Sequence, residues 1–397
     1  MQFIARLKTM SSFVAAHCTV WHASSKKLSQ LNRVAPIDAS KSKPGKLLRL
    51  GFVPLSDCAP IVMAHELGLF RKYDLRVRLS REVGWATIRD KIAYGELDAA
   101  HALAPMVFAA SLGLEGTTVD CVTSLVLNLH GNAITLSQPL AKVIGDPEAL
   151  RAFLASHRDH LVLGIPFLYS AHYFLLVAWL RSLGLSAEDS AQFVVVPPPQ
   201  MPLNLKAGHL DGYCVGEPWN SIAVLARFGV IAATSAQIAP MHPEKVLMVR
   251  REFAHSRPDE HTRLIAALLE ACRYCDEASN RAHVIETLSR KPYLSAPPEA
   301  LRLSLAAESG NDGHFEQSCD FTIFARNSTN EPSHDKAGWI LDGLRNSGLC
   351  TDPRLLSRAS SLEVFSAEPF NEALRLCDPI QFKDEDKNES EAEPAIQ

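Results

Sequence analysis

The sequence predicts an α/β protein built as two units, and three observations carry that prediction. Short apolar runs of strand length alternate with segments of helical period across residues 47–250. A composition break near Gln138-Pro139 separates two such series. Beyond Arg250 the pattern turns helical, and these helices are expected to brace the first unit. Alternation at this spacing implies crossover connections and a largely parallel sheet.

The elements follow in chain order. Residues 1–46 are rich in Ser, Lys and Ala, show no sustained period and end in Lys41-Ser42-Lys43-Pro44-Gly45-Lys46, which reads as a flexible leader. Residues 47–53 form a strand-like run stopped by Pro54, and 57–73 carry apolar groups at helical spacing, with Gly68 near the close and a basic Arg71-Lys72 end. Residues 75–79 alternate as a strand, 85–94 read as a helix ended by Gly95, and 97–102 as a short strand. Strand material spans 122–136, interrupted at His130-Gly131-Asn132. Asp146-Pro147 then opens a helix to about 157.

The second series has a buried strand at 161–165, a helix at 170–183 and a strand at 193–196 stopped by Pro197-Pro198-Pro199. A short helix at 203–207, a strand at 212–215, a helix opened by Glu217-Pro218-Trp219 and a return strand at 245–249 complete it. Helices at 259–278, 282–289 and 298–307 follow. The tail from Lys383 is charged and nearly free of large apolar groups, so it cannot offset its own ordering entropy. The expected division is a leader (1–46), a first unit (47–138 with 238–380), a second unit (139–237) and a disordered acidic tail (381–397).

Composition narrows the function. With 40 Lys and Arg against 44 Asp and Glu the formal net charge is −4, so no long-range field favours nucleic acid. Every apolar run falls short of the ~18 residues of a membrane span. Nine widely spaced cysteines read as reduced thiols, which points to the cytoplasm. The alternative is a periplasmic protein, since Arg6 and Lys8 precede the apolar patch Phe13-Val14-Ala15-Ala16, although that patch is short for a signal peptide. Met10 offers a second possible start.

Several chemistries lack their motif. No Gly-rich phosphate cradle and no H-E-x-x-H is present, and no cofactor or metal is expected. Cys272-Arg273-Tyr274-Cys275 lies inside a helical pattern, so two core thiols one turn apart is the plainer reading. Polar and aromatic residues at strand ends and helix starts are more informative, because α/β sheets place ligands there. Trp85 opens a helix after Gly84, with a core aromatic as the alternative. Asn132 follows a strand break that would otherwise be a turn or bulge. His172 lies beside Ser170, itself a candidate N-cap. Glu217 stands where a carboxylate would cap the next helix, and Lys245 opens an apolar strand where a solvated edge charge is the ordinary case.

Gly51-Phe52-Val53-Pro54-Leu55-Ser56-Asp57-Cys58-Ala59-Pro60, Glu66-Leu67-Gly68-Leu69-Phe70 and Asp98-Ala99-Ala100-His101 resemble the nitrate- and bicarbonate-binding proteins of ABC transporters. So do residues 130–135 and 212–219, and the resemblance covers roughly 48–370. It implies an α/β, periplasmic-binding-protein-like fold of type II, with two lobes, a ligand cleft and a helical C-terminal extension. By motif the anion contacts fall on Trp85, Asn132, His172, Pro198, Glu217 and Lys245. Lys245 discriminates, because the nitrate branch has a lysine here and the bicarbonate branch an acidic group with calcium. Asn132 departs from the Gln of the transported-nitrate branch.

A buried monoanion needs a compensating charge and convergent donors, which Lys245 with Asn132, His172 and Trp85 would supply. The resemblance extends to cytosolic nitrate/nitrite sensors that pair with an RNA-binding antiterminator regulator, so a non-enzymatic sensor is the expected function. The alternative is a binding protein that delivers nitrate, nitrite or bicarbonate to an ABC permease. A third reading is an enzyme on the same fold with Cys58 as nucleophile and His65 or His101 as base.

Overall fold

The computed structural model describes residues 46–157, 160–305, 321–361 and 363–377. The expected leader up to residue 45 and the expected tail lie outside them. Eleven strands among the described residues form two sheets. The first contains β1 (Leu48–Phe52), β2 (Val77–Arg81), β3 (Ala99–Leu103), β4 (Cys121–His130), β10 (Pro243–Arg250) and β11 (Thr322–Ile323), in the order β11-β4-β10-β3-β1-β2. The second contains β5 (Asn132–Ser137), β6 (Leu161–Ile165), β7 (Ala191–Val195), β8 (Gly212–Gly216) and β9 (Gly229–Thr234), in the order β7-β6-β8-β5-β9.

The sheets are mixed rather than largely parallel. Strand β1 pairs parallel with β2 and β3, whereas β10 runs antiparallel to both β3 and β4. In the second sheet β6 is parallel to β7 and β8, and β5 is antiparallel to β8 and β9. The cause is the route of the chain. Strand β4 passes straight into β5 across Gly131, and β9 returns through the short helix Ser235–Ile238 into β10. One passage leaves the first sheet and the other re-enters it, so outgoing β4 and incoming β10 oppose one another. The change of sheet falls at Gly131, ahead of the composition break near 138.

The two passages are tied together. The His130 N–H donates to the His242 carbonyl at 3.3 Å, and the Met241 N–H donates to His130 Nε2 at 2.6 Å. Gly131 has φ +90°, and a Cβ there would lie 2.9 Å from Thr322 Oγ1, so backbone and space both demand glycine. His130 and Met241 also hold left-handed backbone, at φ +60° and +65°.

Alternate residues of the first sheet feed two apolar layers. Leu48, Leu50, Phe52, Leu247 and Val249 pack towards helices Ala59–Glu66 and Pro258–Asp276. Ala100, Ala102, Val246 and Met248 pack towards helices Trp85–Ala93 and Ala104–Leu112. The helix expected over 57–73 is broken at Gly68, which takes φ +70° between Ala59–Glu66 and Leu69–Lys72.

The C-terminal extension does more than brace the first sheet. Helix Pro298–Leu305 packs on helix Arg281–Ser289 and also on helix Trp219–Leu225, which flanks the second sheet. Helix His334–Asn346 packs on helix Ala171–Ser182, with Gly343 against the Phe174 ring and Arg181 donating to the Asn346 carbonyl at 2.6 Å.

Candidate functional site

Strand β10 lies between β3 and β4, so Lys245 is a buried interior residue and not an edge charge. Consecutive strand residues normally face opposite ways. The pairing of β10 with β4 slips between Pro243 and Val246, and this bulged stretch lets both Glu244 and Lys245 face the same polar cluster. The Lys245 ammonium donates to Glu244 Oε1 at 2.7 Å and pairs with Asp57 Oδ2, also at 2.7 Å. Asp57 is brought there by the tight turn Ser56–Cys58 that follows Pro54. His101 on β3 reaches Asp57 Oδ1 at 3.2 Å through Nε2. Trp85, at the first position of its helix, lies with its ring 5.4 Å from the ammonium and 5.4 Å from the His101 ring.

The second sheet closes on this cluster. His172, near the start of helix Ala171–Ser182, has Nε2 3.7 Å from Glu244 Oε1. Ser170 is indeed the N-cap, accepting from the Tyr173 N–H, which leaves His172 free to face the cluster. Asn132 opens β5 opposite Gly216, and a Cβ at Gly216 would sit 3.4 Å from both Asn132 Oδ1 and Asp57 Oδ2. The two halves therefore meet where Asp57 and Asn132 converge. At the linking passages His242 Nδ1 lies 3.8 Å from Glu244 Oε2, and its ring stacks on Trp339 at 5.0 Å.

All of these polar groups are buried, and burial sets their protonation. It pushes the Asp57 carboxyl up, but the Lys245 ammonium and His101 outweigh it and hold Asp57 well below the usual carboxylate range. For Glu244 burial prevails over Lys245, and its pKa is raised. Lys245 is held charged because Asp57 and Glu244 together overcome burial. Burial lowers His101, His172 and His242, so all three favour the neutral imidazole. Trp85 Nε1, Asn132 Nδ2 and both ring nitrogens of His172 have no hydrogen-bond partner among the described residues. Buried polar atoms are nearly always satisfied, and the donors among these could be satisfied by a small oxyanion, although the acceptors Asn132 Oδ1 and Glu244 Oε2 lie unpartnered in the same cluster.

Four of the six expected contact residues, Trp85, Asn132, His172 and Lys245, thus come together. Pro198 does not join them by any hydrogen bond, ion pair or ring contact among the described residues; it is buried at the head of the turn Pro198–Gln200 after β7. The Glu217 carboxylate accepts from the Ser221 N–H at 3.0 Å, which is helix-start capping, while its carbonyl accepts from the Ser56 N–H at 2.7 Å. Sequence reasoning missed Glu244, and gave Asp57 no role.

Cys58 belongs elsewhere. Its side chain is part of the apolar layer beneath β1, and burial followed by the Asp57 carboxylate pushes the thiol up, the opposite of an activated nucleophile. Cys272 and Cys275 are likewise free and buried in the core. Among the described residues no group of three or more His, Cys, Asp or Glu side chains is arranged to hold a metal ion. No helix among them is long and apolar enough to cross a membrane.

A model of the NMT1-like family matches residues 41–289. The chain belongs to that family. This NMT1-like protein is 40% identical over 313 residues to the nitrate import ATP-binding protein NrtC of Synechocystis sp., covering 77% of this chain and 47% of the relative. It is 36% identical over 327 residues to the bicarbonate transport ATP-binding protein CmpC of Synechococcus elongatus, covering 80% and 48%. The chain spans about half the length of these relatives. The crystal structure of the periplasmic nitrate-binding protein NrtA from Synechocystis matches with a TM-score of 0.77 at 26% identity, over 83% of this chain and 88% of that one. The fold is therefore periplasmic-binding-protein-like, as the sequence resemblance implied.

Proposed function

We propose that this NMT1-like protein binds nitrate or nitrite between its two halves, held by Trp85, Asn132, His172 and Lys245, with Pro198 and Glu217 at the margins. The observation that carries this reading is a buried ammonium ringed by unpartnered neutral donors from both sheets. A small monoanion is satisfied by that set, and the nitrate-binding NrtA shares the fold. Calorimetry of the purified chain with nitrate, nitrite and hydrogencarbonate, the last with and without calcium, tests it. One-site binding of nitrate or nitrite that ignores calcium is expected. Binding of hydrogencarbonate alone, and only with calcium, would overturn the assignment.

The role built on binding is that of a cytoplasmic sensor whose closure changes a surface read by an RNA-binding antiterminator regulator. Closure responds to the anion only because donors from both halves contact it, which gives the closed state the higher affinity. Among the described residues seven cysteines are free and buried, Cys58, Cys121, Cys214, Cys272, Cys275, Cys350 and Cys377, which supports a reducing compartment. A second reading, a component of a nitrate importer with an ABC permease as partner, is favoured by the match to half of an import ATP-binding protein. Co-elution with the regulator that nitrate abolishes supports the sensor; co-elution with importer subunits instead would refute it.

A further inference from the structure

One buried ammonium faces two carboxylates. Lys245 Nζ lies 2.7 Å from Asp57 and 2.7 Å from Glu244, so with both ionised the trio carries a formal charge of −1 before any anion arrives. An entering monoanion would raise that to −2 in a buried place, where like charges a few ångströms apart repel strongly. The two carboxylates are not equivalent. Asp57 has His101 as a second partner at 3.2 Å. Glu244 Oε2 makes no hydrogen bond of normal geometry among the described residues; the Asn132 amide faces the carboxyl as a neutral donor from the other half, and His242 Nδ1 stands 3.8 Å from Oε2.

We propose that the anion binds together with one proton, which Glu244 accepts. The inference rests on the oxyanion reading above. The proton comes from solvent onto a Glu244 oxygen, no other bond changes, and Glu244 turns from an acceptor that repels the anion into an O–H donor that can hold it. Lys245 and Asp57 remain a neutral pair. The other groups facing Glu244 are His172 from the helix after β6, His242 on its own strand with His130 behind it, Cys214 on β8 and Asn132 on β5. Burial keeps His172 and His242 neutral and the Asp57 carboxyl stays low, whereas burial pushes Glu244 up despite Lys245. Nitrate and nitrite have no hydrogen to donate to an ionised Glu244, so for them this proton is required.

The coupling has a definite sign. Affinity is fully present below the Glu244 pKa of the free protein and is lost as pH rises above it, by about tenfold per pH unit for one linked proton. Calorimetry with nitrate and nitrite, run in buffers of unlike ionisation enthalpy and across the neutral to alkaline range, reads both the affinity and the protons taken up. The expected result is uptake approaching one proton per anion where affinity falls, a flat profile without uptake in Glu244→Gln, and a retained slope in His172→Gln even if its affinity is weaker. Binding with no uptake and no pH slope anywhere overturns the coupling and leaves the anion-binding reading standing. A slope that survives in Glu244→Gln, or disappears in His172→Gln, overturns Glu244 as the acceptor. If Glu244→Gln does not fold, the two-buffer measurement on the unaltered chain and on His172→Gln still decides. Absence of binding at every pH overturns the anion-binding reading and the coupling together.

Discussion

The two sides of the buried polar cluster differ in kind. The face built on the first sheet carries the charge: Lys245, Asp57 and Glu244, with His101 and Trp85 around them. The face built on the second sheet offers neutral groups, the Asn132 amide and the His172 ring, while the Glu217 carboxylate on that side is occupied in capping a helix. The contrast divides the work of the proposed binding. On that reading Lys245 offsets the charge of the anion once Glu244 is protonated, and the neutral donors of the other half set how far binding favours closure.

The largest expected effect comes from breaking the charged face. Lys245→Met removes the partner shared by two buried carboxylates, which costs about 3–5 kcal/mol of stability as well as nitrate binding. Thermal melts should show a large fall in Tm that recovers partly as pH is lowered and Glu244 and then Asp57 take up protons. A variant as stable as the parent, or one that still binds nitrate, would show that the ammonium is not central to this face.

The neutral face should respond more gently. His172→Ala removes a ring whose nitrogens make no hydrogen bond among the described residues, so on the proposed reading its hydrogen bond is made to the anion. Hydrogen bonds to a charged group contribute about 1.5–3 kcal/mol, so affinity should fall roughly tenfold to 150-fold, while Tm in the absence of anion falls less than in Lys245→Met. Equal losses of Tm and affinity would mean that His172 supports the fold and that the two faces do not divide the work.

How much of this was legible in the sequence depends on whether the signal was local. Strands such as Leu161–Ile165 and helices such as Pro147–His157 announce themselves by apolar period and by their stops, and the structure reproduces them. Strand direction does not, because the passages at Gly131 and Met241 are set by which sheet each strand joins. Lys245 was found through its family position, yet its neighbour Glu244 was missed, since strict alternation puts it on the far side and only the slipped pairing with β4 turns it round. Asp57 was visible as a residue but not as a partner, because its contact with Lys245 joins residues almost half the chain apart. The role of helix His334–Asn346 against the second half was hidden for the same reason.

The smallest effect is expected where the enzyme reading would demand the largest. Cys58 adjoins Asp57 in sequence, but its thiol points into the apolar layer beneath β1, and burial works against the thiolate. Replacing it by Ala removes a small buried side chain and leaves the charged face in place, so stability should fall by only about 1 kcal/mol. Nitrate affinity measured by calorimetry should not change. A clear loss of affinity in Cys58→Ala without a matching fall in Tm would place the thiol within reach of the ligand. The polar cluster would then no longer account for binding by itself, and the division between a charged and a neutral face would have to include the layer behind them.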